Sequence, residues 1–234
     1  MSVILRAAAV SDRGRVRENN EDAVHAGPRL IAVADGVGGG PSGEIASEIV
    51  IRTLAEMDTD PPPQSLAEAV AAANERLREA IEADPTLEGM GTTLTAMLAR
   101  GDTLELAHIG DSRAYLLRDG KLTQLSRDDT FVQGLVDQGL ISSAEARFHP
   151  QRSVVTQAMH GAVIEPSYTT VTPQPGDRFL LCSDGLSDYV DVEAIAQTLA
   201  SVEDLEECAR ALVDLALAAD APDNVTVVVA TPEF

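Results

Sequence analysis

Four aspartates stand where apolar runs give way to loops, and that placement could do chemistry. Asp35 follows Leu30 to Ala34, Asp111 follows Leu104 to Ile109, Asp184 follows Phe179 to Cys182, and Asp223 precedes Val225 to Val229. Each alone also reads as an ordinary turn former, because Asp commonly opens turns. If the strands are neighbours, the four carboxylates converge. Clustered carboxylates repel and take up protons unless a cation holds them. An all-oxygen cluster suits Mg²⁺ or Mn²⁺ and not zinc. The inventory agrees, with four His and two Cys in the whole chain.

A glycine loop follows the first of these aspartates. Gly38-Gly39-Gly40-Pro41-Ser42-Gly43 matches the G-x-G-x-x-G spacing of dinucleotide sites, after a strand and before a helix. That fingerprint needs a second parallel strand after the helix. Here the chain gives Pro61-Pro62-Pro63 and another helix. A tight structural turn and a backbone bent to offer the Gly36 carbonyl to an ion both remain open. Other phosphate chemistries are missing their signatures. There is no phosphate-binding G-x-x-x-x-G-K-[ST] loop and no G-x-S-x-G. Six residues after Cys182 and Cys208 stand Asp188 and Asp214, where a cysteine phosphatase would need Arg.

The elements that must position these groups alternate in blocks. Residues 3–10 read as a strand, and Leu30 to Ala34 as a buried strand ending at Asp35. A helix over 43–57 carries Ala46, Val50, Thr53, Leu54 and Met57 on one face. Ser65 and Glu68 have capping-box spacing ahead of the stripe Leu66, Val70, Ala73, Leu77 and Ile81. From residue 92 the period changes to two, and runs at 92–98, 104–109 and 114–117 predict a β-meander. Residues 128–162 read as a mixed, mainly helical insert. A strand at 179–182, a helix over 203–218 and a strand at 225–229 complete the chain. The blocks predict an α+β layered fold. Without a repeat or a linker, residues 1–234 form a single domain.

Composition narrows the partners. The 234 residues carry 38 Asp+Glu against 17 Lys+Arg, a formal net charge of -21. Phosphate backbones and anionic lipid surfaces repel such a chain, so neither nucleic acid nor a membrane surface is an expected partner. No apolar stretch reaches the roughly 18 residues of a spanning helix, and the N-terminus does not read as a signal peptide. Two cysteines fit a reducing compartment. The expected location is cytoplasmic, or the cytoplasmic face of the membrane if a longer native chain carries an anchor beyond residue 234.

The motifs, in order, are Ser11-Asp12-Arg13-Gly14, Arg17-Glu18-Asn19-Asn20-Glu21-Asp22, Ala34-Asp35-Gly36-Val37-Gly38-Gly39, Gly91-Thr92-Thr93, Gly110-Asp111-Ser112-Arg113, Ser183-Asp184-Gly185-Leu186 and Asp223-Asn224-Val225-Thr226. In that order the chain resembles the metal-dependent serine/threonine phosphatases, the protein phosphatase 2C family, in its bacterial form. It is most similar to the catalytic domains of actinobacterial members that oppose membrane Ser/Thr kinases.

The resemblance implies a four-layer α-β-β-α sandwich, two antiparallel sheets flanked by helices. It implies two Mn²⁺ or Mg²⁺ ions and often a third. Asp35 would bridge the central pair, with the Gly36 carbonyl beside it. Asp184 and Asp223 would hold the first ion, and Glu21 would support the second. Asp111 would hold the third with Asp184. Arg17 would bind the substrate phosphate, and Asp22 would position a water. The implied reaction is in-line attack of a metal-bridging hydroxide on phosphoserine or phosphothreonine in proteins. The implied partners are phosphorylated proteins, among them Ser/Thr kinases and their substrates, and a monomer is expected. The 128–162 insert corresponds to the family's flap.

Two positions depart from the pattern. Members from eukaryotes carry a His two residues after the bridging Asp as a proposed acid; here Val37 stands there and cannot donate a proton. Gly40 stands where relatives often have a larger residue. His149 and His160 in the insert are alternative acids, though a structural or solvent-facing place is the simpler reading. These departures leave a second function open: a catalytically impaired module that binds phosphoproteins on the same fold.

Overall fold

The computed structural model of the chain describes residues 2–38, 42–59 and 61–234, so Gly40 lies outside the described residues. The first strands are β1 (Ile4–Asp12), β2 (Asp22–Ala26) and β3 (Leu30–Val37), followed by helices α1 (Ser42–Ala55) and α2 (Leu66–Ala83). Next come β4 (Gly91–Thr92), β5 (Leu94–Arg100), β6 (Thr103–Ile109), β7 (Arg113–Arg118) and β8 (Lys121–Gln124). The short helices α3 (Phe131–Asp137) and α4 (Ser143–Ala146) follow, then β9 (Ser167–Val171), β10 (Arg178–Cys182) and α5 (Asp184–Ser187). Helices α6 (Val192–Ser201) and α7 (Leu205–Ala218) lead to β11 (Val225–Glu233).

One sheet runs β1-β11-β10-β7-β8, and the other runs β2-β3-β5-β6-β9 with β4 paired to the end of β3. Neighbours within both are antiparallel. Side chains alternate between faces along a strand, so each central strand feeds two cores. On β3, Leu30, Ala32 and Ala34 pack under α1 and α2, whereas Ile31 and Val33 point between the sheets. On β10, Leu180 and Cys182 face α6 and α7, whereas Phe179 and Leu181 point between the sheets. Both faces are buried, which is why these strands read as continuous apolar runs. The result is the expected α-β-β-α sandwich. The capping box on α2 is formed: Ser65 Oγ accepts from the Glu68 amide at 3.2 Å, and the Ser65 amide donates to Glu68 Oε2 at 2.8 Å. Among the described residues, no helix is long and apolar enough to cross a membrane.

Three local readings are corrected. β3 does not stop at Ala34 but continues through Asp35 and Gly36 to Val37, because β4 pairs with its end. The meander breaks after its first hairpin: β6 pairs with β9, and β7 crosses to the other sheet beside β10. Gly110 makes the crossing with φ of 106°, where a Cβ would lie 2.7 Å from that of Thr93. Residues 128–162 contain only two short helices among turns. Elements without a sequence signal strong enough to stand out include β2, β8, β9, α5 and α6. β9 is almost wholly exposed and so lacks an apolar face to mark it.

Candidate active site

In an antiparallel pair, the end of one strand lies beside the start of the next. β10 ends at Cys182 beside Val227 of β11, so Asp184 and Asp223 share one end of the first sheet. β2 starts where β3 finishes, and Asp22 and Asp35 are directly opposed in the second. Asp111 occupies the crossing between β6 and β7 and is 8% exposed. The sandwich thus brings Asp22, Asp35, Asp111, Asp184 and Asp223 to one end, within electrostatic reach of one another.

A buried polar frame fixes them. Ser183 Oγ donates to Asp22 Oδ2 at 2.8 Å and accepts from the Thr226 amide at 3.0 Å, which ties the two sheets together. The Asp35 amide donates to Thr93 Oγ1 at 3.0 Å, while Thr92 Oγ1 donates to the Asp35 carbonyl at 2.9 Å. Thr93 Oγ1 also meets Ser112 Oγ at 2.8 Å. Asn224 clamps the segment that carries Arg17 and Glu21. Its Nδ2 donates to the Arg13 and Asn19 carbonyls, each at 2.9 Å, and its Oδ1 accepts from the Glu21 amide at 2.8 Å. Ser183, Asn224, Thr93 and Ser112 were visible in the motifs, but only the fold gives them this work.

The cluster is short of positive charge. Burial raises the Asp35 carboxyl well above the usual range, and Asp22, Asp184, Asp111 and Asp223 push it further. Asp184 is raised the same way, by burial and then by Asp111, Asp188, Asp223 and Asp22. Asp111 is pushed up to about 7, by burial and the charges of Asp128 and Asp188. Asp22 reaches about 6 through burial, although hydrogen bonds from Thr226 and Ser183 hold it back. Asp22 Oδ1 and Asp184 Oδ1 are buried without a hydrogen-bond partner.

These residues fit divalent cations. Their donors are all oxygens, two of them unpartnered, and their charges are uncompensated. Among the described residues, no three acidic, His or Cys side chains already stand as a closed metal cage. A cation such as Mg²⁺ needs none, since it keeps several waters and takes only one or two carboxylates. Gly36 is required by close approach: a Cβ there would lie 2.3 Å from the Gly43 carbonyl oxygen and 2.6 Å from that of Glu21.

The remaining candidates lie around this end or in the insert. Arg17 is half-exposed and donates from Nη2 to Asp223 Oδ2 at 2.8 Å. A phosphate would compete with Asp223 for that guanidinium. Glu21 sits at the start of α1, where its Oε2 is 2.9 Å from where a Cβ on Gly43 would stand. Its carboxyl is raised by burial and lowered by Arg17. His149 packs its ring 6.3 Å from that of Phe131, and its Nδ1 accepts from the Gln151 amide. His160 is exposed beside Gly91.

Comparison with known proteins supplies the context. Residues 13–219 match the family model described as protein phosphatase 2C. The chain is 54% identical over 234 residues to the serine/threonine protein phosphatase PstP of Mycobacterium tuberculosis, covering 98% of this chain. It spans about half, 45%, of that protein's length. It is 32% identical to the serine/threonine phosphatase stp of Listeria monocytogenes, covering 93% of this chain and 92% of that one. A crystal structure of the M. tuberculosis phosphatase PstP/Ppp superposes with a TM-score of 0.94 at 54% identity, covering 97% of this chain and 98% of that one. A structure of the PstP catalytic domain in complex with two manganese ions gives 0.92 at 51% identity, covering 100% of both chains.

Proposed function

The chain belongs to the protein phosphatase 2C family, and from that premise we propose that it hydrolyses phosphoserine and phosphothreonine in proteins with the help of Mn²⁺ or Mg²⁺. The observation that carries this reading is the uncompensated carboxylate cluster, with Asp22 Oδ1 and Asp184 Oδ1 buried and unpartnered. Asp35, the Gly36 carbonyl, Asp184, Asp223 and Glu21 would hold two ions, and Asp111 with Asp184 a third. Such ions, when bound, lower the pKa of water and neutralise charge on phosphoryl oxygens.

The chain's own groups do the rest. Arg17 exchanges its contact with Asp223 for the phosphate and binds it by charge-assisted hydrogen bonds. Asp22, held from one side by Ser183, turns its unpartnered Oδ1 to the attacking water and orients it for in-line approach. Asp35 is fixed through both its amide and its carbonyl, so its carboxylate is preorganised and not recruited. Val37 supplies no acid, so the departing serine or threonine oxygen takes its proton from water. The 128–162 insert acts as a flap on a single catalytic domain. The substrates are phosphoproteins, among them Ser/Thr kinases and their substrates, and the domain works as a monomer.

Purified protein is expected to hydrolyse p-nitrophenyl phosphate and a phosphothreonine peptide with Mn²⁺, and to stop when EDTA is added. Turnover that survives chelation would defeat the metal mechanism. Tight Mn²⁺ binding without turnover on any phosphopeptide would favour the impaired binding module.

A further inference from the structure

A groove opens on either side of Val37, two residues beyond Asp35 on the same strand. One lobe, of about 670 Å³, is walled by Val155, Val163 and Ile164. The other, of about 380 Å³, is walled by Ile81 and Met90. Val37, Ala158 and His160 line both, so the two lobes adjoin, with Val37 between them. The floor is kept low by Gly91, where a Cβ would stand 3.0 Å from the Met159 carbonyl oxygen and 3.3 Å from Val37 Cγ2.

The wall is built in advance. Met159 and Thr92 exchange backbone hydrogen bonds at 2.8 and 2.9 Å. Asn74 of α2 holds the next turn, accepting from the Gly161 amide at 3.0 Å and donating to the Ala162 carbonyl at 2.7 Å. Yet the lining is left uncovered: Val163 is 94% exposed. Glu165 borders the larger lobe and Glu88 the smaller, and among the described residues no Lys or Arg lines either.

We infer that this channel seats the peptide flanking the phosphorylated residue and selects an aliphatic side chain there, with Lys or Arg beyond it. The inference rests on the phosphatase reading above and deepens it. Three observations choose the occupant. The groove starts close to the candidate site, because Val37 lies two residues beyond Asp35 on β3. Val37 and Ala158 make its middle largely aliphatic beside His160, and each lobe carries one carboxylate, Glu165 or Glu88, that attracts cations. The spacing fits as well: two residues along a strand span about 7 Å, the same distance that separates alternate side chains of an extended peptide. The selected position is therefore the second residue from the phosphoserine or phosphothreonine.

The test uses the Mn²⁺-loaded protein, p-nitrophenyl phosphate, and phosphothreonine peptides that differ only in Leu or Gly at that second position. A hydrophobic pocket separates such side chains by about 10-fold or more in kcat/KM. The Leu peptide is expected to be favoured by that factor, through KM. Ala158→Asp should bring the ratio to about one while p-nitrophenyl phosphate turnover holds. Val163→Asp, at a fully solvated position that the fold tolerates, should lower the ratio in the same direction. Equal kcat/KM for the Leu and Gly peptides, on either side of the phosphothreonine and with p-nitrophenyl phosphate still hydrolysed, would overturn the groove and leave the phosphatase reading standing. A folded protein that fails on p-nitrophenyl phosphate as well would overturn the reading beneath it.

Discussion

Strand β10 is flanked by an aspartate at each end, and the protein provides for them in opposite ways. Asp177, just before the strand, has a side chain 1% exposed. Arg118 meets it with two donors, Nε at 2.7 Å and Nη2 at 2.6 Å, and the Gln174 amide adds a third at 2.8 Å. Asp184, just after the strand, has a buried oxygen with no donor at all and is surrounded by other carboxylates. The first end carries its own counter-charge. The second leaves the counter-charge to something brought from outside. A carboxylate that is costly to hold and yet unpaired is the physical mark of a site that binds.

The largest effect that would sharpen this contrast comes from neutralising the unpaired end. Asp184→Asn should lower Mn²⁺-dependent turnover on the order of 10³-fold, the equivalent of several kcal/mol of lost charge stabilisation. The same change should raise the melting temperature of protein stripped with EDTA, because it removes a repelled charge. Near-normal turnover in steady-state assays would take Asp184 out of the site.

Removing the paired aspartate should do the reverse. Asp177→Ala strands Arg118 and should reduce unfolding free energy by about 3 kcal/mol in urea titrations, at the low end for a buried pair because Arg118 is partly exposed. Turnover per folded molecule should stay unchanged. A loss of turnover without a loss of stability would erase the distinction between the two ends.

The smallest effect is a pH slope. Asp22 near 6 and Asp111 near 7 in the folded protein stand above the ordinary carboxylate value of 3.8. A folded-state pKa above the unfolded one means that the folded protein binds more protons in the interval. Stability from these groups is therefore full below about pH 4 and is lost as pH rises toward 7. The melting temperature of EDTA-treated protein should fall across that window, and saturating Mn²⁺ should flatten the slope. A rise with pH in the stripped protein would show that the cluster is already compensated.

Much of this was legible in the sequence, for identifiable reasons. Asp35 ends the apolar run of β3, and Asp184 and Asp223 flank β10 and β11; these strands are buried on both faces, and continuous apolar runs make them conspicuous. The α2 stripe and its Ser65–Glu68 cap are local, and local signals survive without tertiary context. What escaped depends on partners far along the chain. The end of β3 is a strand only because β4, more than fifty residues later, pairs with it. β7 leaves the meander because Gly110 turns the chain into the other sheet. Asn224 stands in a motif, but its clamping role shows only when the 13–21 segment folds against it. The exposed β9 shows no periodic apolar face.

One pairing has a consequence for how the protein is made. β11 lies between β1 and β10, and its register with β1 runs from Ile4 opposite Glu233 to Asp12 opposite Val225. A chain emerging from the ribosome therefore holds β1 without its one strand neighbour among the described residues until β11 has appeared. Arg17 waits for Asp223, 206 residues later, and Glu21 for Asn224, 203 residues later. Contacts that join such distant segments form late in folding. The site is thus assembled only once β11 has been made and has paired with β1.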